Sequence, residues 1–477
     1  MIRRFSALLA GAISAPIYMA YLGAESFGIV GIYLAFFAFL SLFDFGLPVS
    51  ANRQISLMHS KHEPQKNILS VIRAYELVIY SIATFGAIIL IIGAPYVSNN
   101  WLNNETISNT VIEEALVLAA VAAAMRFPVA FYNNVLFASE RHLSANIVTA
   151  LFAILRVLVT VAMLAFYHND LETFFYSQIY LNLGEVLCLF FLIWKKKFSL
   201  LFSAPNWSAI KKNLSLTISL TGISITALVQ SQIDKILLSK WLSLSEFGLY
   251  SLAYTLAMGV LPIAYAISNA TFPKLTRIID TGNIKETSNL LTKANFYATL
   301  LIVPISVTAA FSPELLKLIT AFFTDSNELV TKLLVLMLIG ACFQSSIVLP
   351  HQYRVAQHKA SLIFYINLLC IPIYLALIYY LALKSGVLGA ALAFLIINAI
   401  NLSFHYITLA KAGDYVLWGT IIKNNIYLVI GALALYFLGN TITNPALEIA
   451  ILKAAITVLI IFILILLIHK KTFIRKA

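Results

Sequence analysis

Apolar runs of bilayer-spanning length, separated by short polar turns, recur from one end of this 477-residue chain to the other. A helix needs about 20 mostly apolar residues to cross the hydrocarbon core. Inside that core every backbone N–H and C=O must be satisfied within the segment, so such runs fold as helices. The rule predicts about fourteen spans. The first six lie near 5–22, 28–50, 70–96, 113–138, 145–167 and 172–194. After a basic linker, six more lie near 213–239, 247–271, 291–312, 328–350, 361–383 and 386–410, and two follow near 416–438 and 447–469. The expected fold class is an all-α integral membrane protein. Its residue balance agrees, since only 11% of residues are charged and 61% are hydrophobic, against about 25% charged in an ordinary soluble domain.

Placing the N-terminus in the cytoplasm and alternating the loops sorts the basic residues. Arg53, Lys61, Lys66, Arg141, Lys195, Lys196, Lys197, Lys211, Lys212, Lys274, Arg277, Lys285, Arg354, Lys359 and Lys411 all fall inside, with Lys470, Lys471, Arg475 and Lys476 of the tail. The outer loops NNWLNNETISNT, YHNDLE and GNTITNPALE hold no Lys or Arg; Lys240, Lys317, Lys332 and Lys384 are minor exceptions. One miscounted span would invert every later loop, so this pattern predicts both termini in the cytoplasm. It also accounts for the net charge of +12 without nucleic acid as a partner. The opening MIRRFSALLAGAISAPIYMAYLG has the look of a signal peptide, but its apolar run is long and another span follows at once. An uncleaved first helix anchored by Arg3 and Arg4 is expected.

Cys188, Cys342 and Cys370 sit in apolar segments without metal-ligand spacing, so neither a disulfide nor a zinc site is expected. There is no GxxxxGKS/T phosphate loop, and no loop offers room for an extramembrane catalytic domain. The chain therefore reads as a transporter rather than an enzyme, with no cofactor, driven by an ion gradient, by substrate flux, or not energised at all.

A weak internal repeat points the same way. SFGIVGIYLAF resembles EFGLYSLAYTL, with Phe27-Gly28 matching Phe247-Gly248, and FASERH resembles VAQHKA, with Ala138 and Arg141 matching Ala356 and Lys359. Two six-helix lobes, 1–200 and 201–412, related by an axis along the membrane normal would produce this, with 413–477 an added helix pair and basic tail. Parallel repeats of that kind are a transporter signature, with the substrate site between the halves.

Two arginines sit near hydrocarbon depth, Arg126 in the fourth span and Arg156 in the fifth. A permanent charge there costs several kcal/mol (about 2.5–3.5 on insertion scales), and such residues face a bundle interior or a water-filled cavity. Arg126 shares a helical face with Asn133, beside Pro128; Thr149, Arg156, Thr160 and Tyr167 form one polar stripe. Arginine suits a phosphate because its planar fork donates paired hydrogen bonds and keeps its charge. One reading is a cavity wall that grips an anion; the other is a permanent pairing with a carboxylate such as Glu185. The seventh span carries Ser219, Thr226, Gln230 and Asp234 on one stripe, followed by Lys235. Asp234 reads either as a proton or sodium carrier or as half of an internal Asp–Lys contact. Asp44 precedes Gly46 and Pro48, where it can accept a hydrogen bond at a helix break or pair with Arg53. Arg73 and Glu76, three apart, suit a local ion pair. His405, with Asn398 and Asn401, reads as simply hydrogen-bonded or as part of an inner vestibule, and Lys453 can snorkel outward.

LGAESFGIVGIYLAFFAFLSLFDFGLPVSANR, SQIDKILLSKWLSLSEFGLYSLAY, ASERHLSANIVTALFAILRVL and KSGVLGAALAFLI together resemble Wzx-type polysaccharide-biosynthesis flippases, over about the first 410 residues. The resemblance implies the multidrug/oligosaccharidyl-lipid/polysaccharide exporter fold, its two lobes forming a V. The implied task is moving an undecaprenyl-pyrophosphate-linked oligosaccharide, such as an O-antigen repeat unit for lipopolysaccharide biosynthesis. Its path runs from the cytoplasmic to the outer leaflet of the bacterial inner membrane, by proton-coupled alternating access. Arg126, Arg156, Asn133, Thr149, Thr160 and Gln230 are then the expected substrate-binding residues, and Asp234, Glu185 and Asp44 the coupling candidates. The expected partners are the lipid-linked glycan, a proton or sodium gradient, membrane lipids and a polysaccharide polymerase/chain-length complex. A lipid II flippase or a multidrug exporter of the same fold shares most of these features, although the mid-membrane arginines favour anions over cationic drugs. A membrane polymerase or glycosyltransferase would need a long outer loop, which is lacking; a scaffold would tolerate loss of both arginines. The last two spans depart from a twelve-helix plan.

Overall fold

The computed structural model describes residues 11, 14–195, 204–311, 327–357 and 359–411, and these are nearly all helical. The expected spans 13 and 14, Lys453, Arg3 and Arg4 lie outside the described residues. After a helical segment over 14–22 come α1 (Ala24–Leu40), α2 (Leu47–Ser60), α3 (Gln65–Tyr96), α4 (Asn109–Arg126), α5 (Pro128–Ala138), α6 (His142–Phe166) and α7 (Leu171–Trp194). They are followed by α8 (Trp207–Trp241), α9 (Leu244–Met258), α10 (Leu261–Asp280), α11 (Ile284–Phe311), α12 (Asn327–Ala356) and α13 (Ala360–Lys411). Among the described residues seven helical stretches are long and apolar enough to cross a bilayer, and the only strand-like pairing is one bridge between Asn103 and Ser243. The protein is an all-α, multi-pass membrane protein.

The helix breaks have identifiable causes. The second expected span, 28–50, ends early: a 3-10 turn over Ser41–Asp44 follows α1, and Phe45 (φ 46°) and Gly46 (φ 71°) are left-handed. Asp44 Oδ1 accepts the Gly46 N–H at 2.7 Å, and Pro48 then opens α2, which runs on to Ser60. Pro128 likewise separates α4 from α5, because proline has no N–H to continue the ladder and is favoured in a first turn. The eighth expected span, 247–271, is divided into α9 and α10 just before Pro262. In α13, Ser385 and Gly386 (φ 56°) are non-helical and divide it into two runs, near the expected boundary of 383 and 386.

Two compact units make up the chain, Met1–Leu252 and Ala253–Ala477. In the first, α6 shows how one helix serves two solvents. Leu143, Ile147, Leu151, Ile154 and Leu158 are exposed along one face, as expected for lipid contact, while Ala145, Val148, Ala153, Thr160 and Leu164 are buried. Also within this unit, α1 and α9 approach to backbone contact through the two glycines matched by the repeat. A Cβ on Gly248 would run into the Ala24 carbonyl oxygen, and one on Gly28 into the Leu244 carbonyl oxygen. Small residues of this kind let helices in lipid gain close packing where hydrophobic burial offers little. In the second unit, Leu275, Leu291, Ile347, Tyr353, Leu402 and Tyr406 from α10–α13 form an apolar core.

The second matched pair of motifs has matching backbone geometry. Ser139 N–H donates to Val135 O at 3.1 Å and Arg141 N–H to Leu136 O at 2.9 Å. Gln357 N–H donates to Tyr353 O at 3.0 Å and Lys359 N–H to Arg354 O at 2.9 Å, each pair displaced by the same interval along the chain. Both connectors thus end their helices with the same Schellman-type closure.

At the end of the first unit where α1 begins, Glu25 is 7% exposed. Its carboxylate accepts the backbone N–H groups of Glu105 (2.6 Å), Thr106 (3.1 Å) and Ile107 (3.4 Å), and the Thr106 hydroxyl as well. Asn103 extends the same loop by donating to Lys240 O at 2.7 Å and accepting the Leu244 N–H at 2.8 Å. Burial raises the Glu25 pKa, but the four donors outweigh it and hold the carboxyl below its ordinary range.

Two outcomes follow for purified protein in detergent. Replacing Gly248 by Val lowers stability by about 1–3 kcal/mol or more through overpacking, whereas Gly93→Ala, where nothing lies within 4 Å of the added Cβ, causes no loss in thermal unfolding. Because the Glu25 carboxyl titrates lower folded than unfolded, its contribution is complete at neutral pH and is lost as pH falls through the folded value. A Glu25→Gln variant should melt lower than wild type at pH 7, and the difference should shrink under acid.

Candidate functional site

Arg126 closes α4 beside the Pro128 break, half-buried, with its guanidinium carbon 4.8 Å from the centre of the Phe37 ring. That contact is a cation–π interaction with a ring of α1. Arg156 lies on the inward face of α6. Its Nη2 donates to Asn182 Oδ1 at 2.7 Å and to Glu185 Oε2 at 3.0 Å, both on α7. Asn182 in turn donates to the Ala122 carbonyl of α4 at 2.9 Å, so one polar junction ties α4, α6 and α7 together. The Tyr18 hydroxyl donates to the Arg156 carbonyl at 3.0 Å.

The junction is unbalanced. Arg126 and Arg156 are close enough to repel each other electrostatically. Glu185, 2% exposed, pairs with Arg156, while no ion pair joins Arg126 to a carboxylate among the described residues. Two guanidinium groups thus face one carboxylate. The Arg156 Nε and the Tyr33 hydroxyl, itself within electrostatic reach of Arg156, are buried without hydrogen-bond partners among the described residues. An unpaired buried donor costs about 1–3 kcal/mol, so the arrangement is one that an added acceptor would stabilise.

Asn133, Thr149 and Thr160 are engaged between helices. Asn133 donates to Val129 O at 2.9 Å and accepts from Thr149 at 3.3 Å. Thr160 bonds Ser177 at 2.8 Å and accepts from Gln178 at 3.0 Å. Gln230 is half-buried on α8. Asp234, 1% exposed, accepts the Tyr250 hydroxyl at 2.6 Å and lies 3.3 Å from the Lys235 ammonium, which also donates to Ser231 O at 2.8 Å. This holds the Asp–Lys contact that the sequence allowed. Asp44 serves the helix break at Gly46. Glu76 is more than half of a local pair: fully buried, it takes Arg73 at 3.0 Å and the Trp194 indole N–H at 2.8 Å. Trp194 is 118 residues away in sequence, so no local pattern could have disclosed it. His405 is buried, and Asn398 donates to Phe394 O at 2.8 Å.

Solved structures with this architecture are membrane transporters. The lipid II flippase MurJ in an inward closed conformation superposes with a TM-score of 0.72 at 15% identity, covering 99% of each chain. An inward-facing multidrug resistance MATE family transporter of the MOP superfamily gives 0.68 at 11% identity, covering 85% of this chain and 95% of that one. At these identities the likeness is one of fold alone, an all-α membrane architecture.

The model of the polysaccharide biosynthesis protein family matches residues 4–279, more than half the chain, and the chain belongs to that family. Over 403 residues it is 24% identical to a Shigella flexneri protein assigned as a candidate O-antigen transporter, covering 81% of this chain and 90% of that protein. The named relatives by sequence and by fold are transporters and flippases.

The charge imbalance makes a stability prediction. Glu185→Ala leaves the Arg156 guanidinium without its carboxylate and should cost about 3–5 kcal/mol. Arg126→Ala removes a repulsion and a cation–π contact but no ion pair, and should change stability by no more than about 1 kcal/mol. Thermal unfolding of the two variants beside wild type measures the contrast.

Proposed function

We propose that this protein is a flippase that carries an undecaprenyl-pyrophosphate-linked oligosaccharide from the cytoplasmic to the outer leaflet of the bacterial inner membrane. The observation that carries the reading is the unbalanced guanidinium pair within the membrane-spanning bundle of a polysaccharide transporter. A pyrophosphate or an acidic sugar supplies the missing negative charge and accepts from the unused donors, while the lipid tail stays in the bilayer. Arg126 is the open ligand, and Arg156 is held ready by Asn182 and Glu185. The positive-inside distribution supports cytoplasmic termini, and the matched glycines and connectors support two repeated lobes, 1–200 and 201–412, that alternate access.

Of the three carboxylates weighed for coupling to a proton or sodium gradient, Glu185 is favoured because its partner is also the anion ligand. Asp234 is engaged by Tyr250 and Lys235, and Asp44 by a backbone N–H. The excess positive charge argues against cationic drugs as cargo, although the MATE transporters share the fold.

A strain lacking the protein should accumulate lipid-linked repeat units in the cytoplasmic leaflet and lose surface glycan. Complementation with Arg126→Ala should restore export about ten- to a hundredfold less well, the loss of one charge-assisted contact worth about 1.5–3 kcal/mol. Full restoration by both Arg126→Ala and Arg156→Ala at normal expression would overturn the site.

A further inference from the structure

Four enclosed polar atoms of the second unit have nothing to bond to. Ser268 Oγ on α10, Asn295 Nδ2 on α11, Gln344 Oε1 on α12 and Asn401 Oδ1 on α13 lack hydrogen-bond partners among the described residues. Ser268, Asn295 and Asn401 are more than nine-tenths buried, and Gln344 is half-buried with its free oxygen enclosed. An unmet buried polar group costs about 1–3 kcal/mol, and hydrocarbon offers it no partner. A single such atom can be an accident of packing. Four, on four successive helices, ask for a common cause.

Their placement supplies one. Each lies ten to twelve residues from the basic end of its helix, at Asp280, Ile284, Ala356 or Lys411. That is about 15–18 Å along the axis, near the middle of a bilayer. The same four helices meet in the apolar core of Leu275, Leu291, Ile347 and Leu402. On their shared helix faces Ser268 lies two turns from Leu275, Asn295 one turn from Leu291 and Gln344 one turn from Ile347, all away from the basic end, and Asn401 adjoins Leu402. The free atoms thus make one polar layer next to that core.

The chemistry of the layer selects its ligand. A side-chain amide has a donor end and an acceptor end, and a hydroxyl is both, so the layer offers a mixed set whichever way the amides are turned. A metal cation takes oxygen ligands only, and at this depth it would need a carboxylate to balance it. α10, α11 and α12 carry acidic residues only in their terminal turns, and α13 carries none. Burial leaves no entry for a sugar or a lipid head group. Water both donates and accepts, and at about three hydrogen bonds per buried molecule, about one or two waters satisfy all four groups. We propose that α10–α13 enclose a binding site for internal water at mid-membrane depth, with Ser268, Asn295, Gln344 and Asn401 as its ligands. A bridging water bonds nearly as well as a direct contact, and it can turn to keep its partners. The layer therefore ties four helices together without fixing their spacing as direct pairs do.

Radiolytic footprinting of the full-length protein in detergent tests this, because bound water is converted to hydroxyl radicals in place and marks side chains that bulk radicals do not reach. Leu291 and Leu402, beside the layer, should be oxidised, while Leu333 and Leu334, buried on α12 three turns from Gln344, should not. The double variant Gln344→Leu with Asn401→Leu should lose that oxidation and unfold at a lower temperature, since Ser268 and Asn295 are left without their water. In a dry site the same substitutions remove two unmet acceptors and raise the unfolding temperature. Oxidation of Leu291 and Leu402 no greater than that of Leu333 and Leu334, or a rise in unfolding temperature, would overturn the inference. Stabilisation by sodium chloride over choline chloride that the double variant loses would overturn it in favour of a cation. If that variant fails to fold, the wild-type oxidation contrast decides alone.

Discussion

A guanidinium cannot shed its charge, so a protein that places one among apolar helices must surround it with compensating groups. Arg156 sets that demand in the first unit. Glu185 supplies charge, Asn182 shares the same Nη2 and reaches across to the Ala122 carbonyl, and Tyr18 caps the Arg156 backbone. Four helical segments are registered against one another by this requirement. The compensation stops short of complete, because Arg126 adds a second charge with an aromatic ring, not a carboxylate, as its identified companion. Stability alone would favour a neutral core; the retained imbalance is what the proposed cargo site rests on.

The architecture was legible because the membrane imposes a simple code. Length and apolarity set the spans, and the described helices fall close to them: α3 on 70–96, α6 on 145–167 and α7 on 172–194. Where the prediction ran through a break, as at 28–50 and 247–271, the cause was chemistry finer than hydropathy. The Asp44–Gly46 turn and the residues before Pro262 terminate helices without adding a polar loop, so an apolar window passes over them. Proline in α3 and α10 does not divide those helices, which is why proline alone was no guide.

The site was legible in part, and the division has a physical reason. A charge in an apolar run announces itself, so Arg126, Arg156, Glu185 and Asp234 were all visible. Their partners were not, since pairing depends on which helices meet. Periodicity placed Thr149 and Thr160 on the Arg156 stripe, yet these hydroxyls join helices through Asn133, Ser177 and Gln178. Uncharged polar residues in lipid do both jobs, and only the neighbours distinguish them. Glu76 was underrated for the same reason, because its indole donor arrives from the far end of α7.

The grip of Glu25 on the 105–107 loop has a consequence for how this segment tolerates change. Three of the four groups it holds are peptide N–H donors, which every residue but proline carries. The loop's fixed path therefore depends little on the side chain at 107, whereas the Glu105 carboxylate also accepts the Ser245 hydroxyl at 3.2 Å. Position 107 is free to drift while the loop keeps its place. Variation is cheapest where the backbone, and not the side chain, is being recognised.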